Sequence, residues 1–100
     1  MTSRVAFSDP ARDQVRRIDD WWRENRPAAP DLFAEELRDA IALLRDSPQI
    51  GPRYRKAQLR GLRRLLLRRT RFHLYYVVDR PITSVTVVAV WSALRERPPI

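Results

Sequence analysis

The chain has 100 residues, room for a single domain spanning residues 1–100, because two cores sharing this length would each bury too little surface. Its 44% hydrophobic and 32% charged content excludes a disordered or collagen-like chain. The absence of cysteine excludes disulfides, thiolate metal sites and a cysteine nucleophile, and the net charge of +8 calls for an acidic partner.

Arg4 to Phe7 alternates, with Val5 and Phe7 on one side, and is expected to form a short half-buried strand. Asp9 is then expected to cap a helix whose first position is Pro10, where a missing N–H is no loss. Ala11, Val15, Ile18 and Trp22 fall on one face of that helix, and Pro27 should end it near Asn25. Pro30 should open a second helix, with Phe33, Leu37, Ile41 and Leu44 as its apolar stripe and Ser47-Pro48 as its end. Gly51-Pro52 adds a further break, and a loop follows.

After Gly61 the apolar period drops from near 3.6 to near 2, which predicts three strands: Leu62 to Arg68, Phe72 to Val78 and Ser84 to Trp91. In the second, Phe72, Leu74, Tyr76 and Val78 face one way and Arg71, His73, Tyr75 and Val77 the other. Short connections at Arg69-Thr70 and at Asp79 to Thr83 favour hairpins. The expected fold is α+β: a helical hairpin packed on one face of a small antiparallel sheet, in the order β-α-α-β-β-β.

Apolar runs such as Leu65 to Leu67 and Val85 to Trp91 (interrupted by Thr86) fall far short of the roughly 20 residues a membrane span needs. Met1 to Phe7 lacks the apolar stretch of a signal peptide. A cytoplasmic, reducing location and no membrane contact are therefore expected.

Charge is unevenly placed. Residues 1–50 hold eight arginines against ten acids, whereas residues 51–100 hold twelve basic residues against Asp79 and Glu96. From Arg53 to Arg71 stand Arg53, Arg55, Lys56, Arg60, Arg63, Arg64, Arg68, Arg69 and Arg71 without one acid. Spread over a loop and two strands, they cannot all be the solvated back of one helix, and they suit nucleic-acid phosphates, an acidic protein segment or an anionic surface. The near-exclusive use of arginine is weaker evidence, since a GC-rich genome produces the same bias.

His73 is the single histidine and cannot by itself build a zinc site or a catalytic triad; it reads first as structural and second as a base on the sheet face beside Arg71 and Tyr75. Two glycines allow no phosphate loop, and no carboxylate spacing suggests a metal cage, so neither metal nor cofactor is expected. Trp21-Trp22 could stack on bases, but helical spacing sends at least one into the core and leaves the other for the hairpin's edge or a partner groove.

The succession Phe7-Ser8-Asp9-Pro10-Ala11, Trp21-Trp22, Phe33 to Leu44, Ser47-Pro48-Gln49-Ile50-Gly51, Leu62-Arg63-Arg64-Leu65 and Tyr75-Tyr76-Val77-Val78 resembles the RelE/ParE toxin superfamily of type II toxin-antitoxin systems, over nearly the whole chain. The resemblance implies two helices on a small antiparallel sheet. It also implies a hetero-oligomer with a cognate antitoxin whose acidic, flexible segment wraps the toxin and whose other part binds DNA.

RelE-like members cut mRNA on the ribosome without a metal, using basic residues on the sheet and commonly a tyrosine near the C-terminus. Here the last tyrosine is Tyr76, and His73 falls where a RelE-like protein has a central-strand arginine. On that branch His73, Arg64, Arg68, Arg71 and Arg95 would form the catalytic set, with His73 as base and Arg64 and Arg95 cradling the phosphate. ParE-like members lack such a set and poison DNA gyrase. The missing tyrosine and the Ser47 to Gly51 turn resemble this branch more closely, and Trp91-Ser92-Ala93-Leu94-Arg95 departs from the His-Gly-x-Arg run common to both.

The expected partner surface comprises Arg53, Arg55, Arg60, Arg63, Arg64, Arg68, Arg69, Arg71, Trp91 and Arg95, with the antitoxin as one partner and gyrase, or ribosome and mRNA, as the other. A third alternative is a plain nucleic-acid-binding module without toxicity.

Overall fold

The computed structural model describes residues 3–79, 84–95, 98 and 100. Strand β1 (Arg4–Phe7) leads into helix α1 (Asp9–Asn25) and helix α2 (Leu32–Asp46), followed by strands β2 (Arg63–Leu67), β3 (Phe72–Asp79) and β4 (Ser84–Ser92). The β-α-α-β-β-β order is the expected one. Of the expected β3–β4 connection, residues 80–83 lie outside the described residues.

Helix α1 begins one residue earlier than Pro10, and its cap is Ser8, not Asp9. Ser8 has the extended backbone of a cap (φ −65°, ψ 161°), and its Oγ accepts from the Ala11 amide at 3.2 Å. Asp9 instead sits inside the first turn, where its charge faces the positive helix end. The second helix starts later than expected, at Leu32. Pro30 belongs to the tight connection, in which Ala29 N donates to the Arg26 carbonyl and Leu32 N to that of Ala29. Asp31 takes the cap position without capping, because its carboxylate is turned to Arg23, 2.8 Å away. The indole N–H of Trp22 closes the hairpin onto the Ala29 carbonyl at 2.9 Å.

The sheet runs β1-β4-β3-β2. β2, β3 and β4 are antiparallel neighbours, as expected from their alternation, while β1 joins β4 in parallel and makes the sheet mixed. A parallel pair cannot be closed by a tight turn and needs a long connection; here that connection is everything between Phe7 and Ser84.

The helices cover one face. Phe33, Leu37, Ala40 and Leu44 of α2, with Ala11 and Trp22 of α1, bury against Leu67, Leu74, Tyr76, Val85, Val87 and Val90. On the other face a smaller cluster forms where Leu62 and Tyr54, from the 51–62 segment, lie on Tyr75 and Ala89.

Two side chains of the α1 region finish the edge of β4 beyond the end of β1. The ladder with β1 stops at Phe7 and Val87, and the β3–β4 register shifts between Tyr75 and Tyr76. Ser8 Oγ then donates to the Val88 carbonyl at 3.3 Å, and Gln14 Oε1 accepts from the Val90 amide at 2.8 Å. Unpaired buried backbone groups are costly, so these contacts fix how α1 lies on the sheet. No described helix is long and apolar enough to cross a membrane.

Candidate functional site

The sheet face away from the helices gathers much of the expected site. Alternation from Arg64 in β2 and His73 in β3, together with the pairings Arg64 to Tyr75, Leu66 to His73 and His73 to Trp91, puts Arg64, His73, Tyr75 and Trp91 side by side on one surface. The Arg64 guanidinium lies 4.8 Å from the centre of the Tyr54 ring. Tyr54 meets Tyr75 edge-on at 5.2 Å, and His73 meets Tyr75 at 5.8 Å. Arg95 lies over Trp91 at 5.2 Å. Cations stacked on aromatic faces keep their N–H forks free for an anion while the rings supply apolar contact.

This packing sets the protonation of the face. Burial pushes the His73 imidazole below its ordinary value, and the positive charge of Arg64 adds to the effect, so the ring is neutral near pH 7. Burial pushes the Tyr75 hydroxyl up, and Arg64 pulls it part of the way back. Tyr76 points to the opposite face, where burial also raises its hydroxyl despite the Gly51 amide and Arg63.

The remaining arginines fall into separate groups. Arg53, Arg55 and Arg60 are exposed on the 51–62 segment beside the face. Arg68, Arg69 and Arg71 are exposed around the β2–β3 turn at one end of the sheet. Arg63 is placed apart from all of them: it alternates to the helix side of β2, opposite Tyr76, and its guanidinium donates to the carbonyls of Gln49 at 3.2 Å and Gly51 at 2.8 Å. It therefore holds the 49–51 turn.

Glu36 of α2, which sequence reasoning missed, organises the β2–β3 turn. Its carboxylate accepts from Arg69 N at 2.7 Å, Thr70 N at 2.9 Å and Thr70 Oγ1 at 2.6 Å. Nothing in the local sequence marks a contact across more than 30 positions, although an acid inside an apolar helix opposite a basic turn was a usable hint. Arg71, which follows, adopts φ 67° in the left-handed region, and its carbonyl accepts from Ala93 N at 2.9 Å, tying the turn to the end of β4.

A groove of about 760 Å³ follows β2, the outer strand of the sheet. Leu43 and Ile50 are exposed apolar residues along it, and Arg64, Arg68, Arg69 and His73, with the carboxylates of Glu36 and Asp39, supply its polar rim. The open face and this groove are continuous through Arg64 and His73. A second groove, of about 470 Å³, opens at the far end of β4, between Trp91 and α1. Trp21 lines it with 46% of its surface exposed, while Trp22 is a core residue. Among the described residues no group of three or more His, Asp or Glu side chains is placed to hold a metal ion.

Comparison with known proteins gives this surface a context. The family model of the ParE toxin of the type II toxin-antitoxin system parDE matches residues 5–97. No curated protein sequence matches the chain. Among solved structures, the chain is similar to one from the RelBE2 toxin-antitoxin complex of Mycobacterium tuberculosis, with 22% identity and a TM-score of 0.68 over 92% of this chain and 99% of that one. It is similar to a chain of the chromosomal ParDE system of P. aeruginosa, at 15% identity and TM-score 0.62 over 91% and 96%. A third likeness is to the intact E. coli RelBE complex, at 19% identity and TM-score 0.65 over 93% and 99%. At these identities the structural likenesses establish the shared fold, and the family match extends across nearly the whole chain. The chain belongs to the ParE toxin family of type II toxin-antitoxin systems.

Proposed function

We propose that this toxin acts by inhibiting DNA gyrase, without being an enzyme itself, and that it is silenced by a cognate antitoxin. An acidic segment of the antitoxin would lie along the basic residues between Arg53 and Arg71. The observation that carries the gyrase reading is the state of the two β3 tyrosines, Tyr75 on the arginine face and Tyr76 on the helix side of the sheet. Tyr75 and Tyr76 are both buried, with hydroxyls held above their ordinary range. A phenol in that state stays protonated near pH 7 and cannot accept a proton from an attacking hydroxyl.

Binding of an acidic segment is favoured by the unpaired charge of this half of the chain. Among the described residues, the ion pairs formed are Arg16 with Asp13 and Arg23 with Asp19 and Asp31, all in the helical hairpin. Apart from Arg63, which holds the 49–51 turn, the arginines of the 51–71 region form no ion pair among the described residues and are left to an external partner. Surface charge of this kind acts on association rate and on salt dependence.

The alternative is a metal-independent endoribonuclease acting on ribosome-bound mRNA, and one observation favours it: His73 is neutral near pH 7 and sits beside Arg64, a base next to a phosphate-binding fork. The test is inducible expression in bacteria with growth, DNA-damage signalling and bulk mRNA integrity scored together, alongside gyrase supercoiling with the purified protein. Arrest with damage signalling, intact mRNA and lost supercoiling supports gyrase inhibition. Arrest with rapid mRNA cleavage that His73→Ala abolishes overturns it in favour of the nuclease. Binding of the antitoxin without arrest would leave a non-toxic binding module.

A further inference from the structure

Residues 54–62 form a closed loop that stands on the open face of the sheet. Tyr54 N donates to the Leu62 carbonyl at 2.8 Å and so brings the two ends together. A bridge between Arg53 and Arg63 lies just outside them, and Gly61 makes the left-handed turn before Leu62 with φ 71°. Tyr54, Ala57 and Leu62 turn inward, onto Tyr75 and Ala89. Arg53, Arg55, Lys56 and Arg60 are exposed on the outside. A loop closed at its base and packed on its own side chains is an ordered platform. Its cations are in place before any partner arrives, so little ordering entropy is lost on binding.

The loop leads into a longer basic track. Arg64, in β2, lies over the Tyr54 ring, and Arg68 and Arg69 stand exposed at the far end of the strand. At about 3.3 Å per residue, Arg64 and Arg68 lie roughly 13 Å apart along it. Duplex DNA carries one charge per about 1.7 Å of axis, so that length faces several phosphates. The carboxylates of Glu36 and Asp39 also line the groove along β2, but both belong to α2, behind the strand, and that of Glu36 is engaged by the Arg69-Thr70 turn. They confine a polyanion to the outer rim. The rings of the track are covered: Tyr54 carries Arg64 on its face and meets Tyr75 edge-on, and Tyr75 is 2% exposed. Single-stranded nucleic acid is held by bases stacked on open rings, whereas forked cations above covered rings suit the phosphates of a duplex.

We propose that the loop of residues 53–62 and the outer rim of β2 form a docking track for the backbone of duplex DNA, by which the toxin grips the DNA of a gyrase–DNA complex as well as the enzyme. The inference deepens the gyrase reading and rests on it: the partner is the DNA-loaded enzyme. The cations involved are those that an acidic antitoxin segment would occupy. Segment and duplex therefore exclude each other, and the segment silences the toxin by standing in for the phosphates.

The experiment uses the full chain and a short fluorescent DNA duplex of arbitrary sequence, with binding followed by anisotropy between about 50 and 200 mM salt. The loop variant combines Arg55→Gln with Arg60→Gln. Its control, Arg12→Gln with Arg38→Gln, removes the same charge from exposed positions on the helical hairpin. All four side chains are exposed, so urea unfolding of both variants should match wild type. Wild type should bind the duplex with an affinity that falls steeply with salt. The loop variant should bind about tenfold more weakly at low salt, with a salt slope smaller by about one to two, and the control less than about threefold more weakly. The corresponding single strand should bind more weakly than the duplex, and a glutamate-rich peptide should displace the duplex. In gyrase supercoiling the loop variant should need about tenfold more protein than the control for half inhibition.

Equal weakening by the two double variants would reduce the effect to net charge and overturn the track. So would an absence of duplex binding at low salt, or tighter binding of the single strand. Loss of the glutamate-rich peptide in the loop variant, with no duplex binding by wild type, would make the loop a seat for acidic protein alone. Gyrase inhibition without duplex binding removes the track and keeps the gyrase reading. Duplex binding without gyrase inhibition removes the gyrase reading, and the DNA-loaded enzyme as partner with it.

Discussion

The hydroxyl of Tyr76, at the centre of β3, accepts a hydrogen bond from the Gly51 amide at 2.8 Å, and a Cβ on residue 51 would lie 2.7 Å from that hydroxyl and 2.6 Å from the Arg64 carbonyl. This pair joins the start of the 51–62 segment to the sheet. Gly51 is buried, and the requirement for glycine there is close approach; its backbone is not in the left-handed region. Gly51→Ala should therefore destabilise by about 1–3 kcal/mol through overpacking. Tyr76→Phe should cost about 1–2 kcal/mol by leaving the amide buried and unpaired. In urea unfolding the double variant should lose less than the sum of the two, because removing the hydroxyl removes one of the two clashes. Strict additivity would show that the pair is not coupled.

Glu36 is the corresponding clasp at the other end of β2. It holds two backbone amides and a buried hydroxyl of the Arg69-Thr70 turn, and hydrogen bonds to an ionised acceptor are the stronger kind. Glu36→Ala should lower stability by about 2 kcal/mol, and Glu36→Gln, which keeps an acceptor, by less. Hydrogen exchange of the Arg69 and Thr70 amides should accelerate in Glu36→Ala more than in the core of β3. Unchanged exchange would mean that the turn is held by its neighbours alone.

Arg71 is an ordinary residue in a conformation that suits glycine (φ 67°). The left-handed region costs a non-glycine residue about 1 kcal/mol or more. Arg71→Gly should therefore leave stability unchanged or raise it by up to about 1 kcal/mol, since part of the gain is offset by the freer unfolded chain. Arg71→Val should lower it. The same Arg71→Gly variant should weaken association with an acidic partner and reduce its salt dependence. A stability gain without any change in salt dependence would remove Arg71 from the partner surface.

Most of the architecture was legible because it is written in local periodicity. The Ala11, Val15, Ile18 and Trp22 stripe and the Phe72, Leu74, Tyr76 and Val78 side of β3 both face the core, with Ala11, Trp22, Leu74 and Tyr76 buried and the others packed against them. What escaped is non-local. The parallel place of β1 depends on which strand edge remains free once the hairpins have formed. Ser8 caps α1 because the extended backbone falls at that residue, a distinction of one position that adjacent Ser and Asp do not resolve in sequence. Arg63 and Arg64 look alike in a basic run, yet strand alternation sends one to the 49–51 turn and the other to the open face. The importance of Glu36 and Gly51 lies in contacts across the chain, which composition cannot carry.

His73 supplies a pH dependence with a definite sign. In the unfolded chain it titrates near its ordinary 6.5, whereas in the folded protein burial, and secondarily Arg64, hold it lower. As pH falls through about 6.5, the unfolded chain takes up a proton that the native state refuses, so stability must fall, and the fall must level off below the native value. His73→Gln, which cannot ionise, should lose stability less steeply than wild type between about pH 7.5 and 5.5. The difference between the two curves isolates His73 from the carboxylates that titrate lower. Because the protein has one histidine, its imidazole resonances report the native titration directly. Arg64→Gln should move that titration up only part of the way, since burial is the larger cause. A native midpoint at or above 6.5 would contradict the account and leave the imidazole protonated, and unable to act as a base, under mildly acidic conditions.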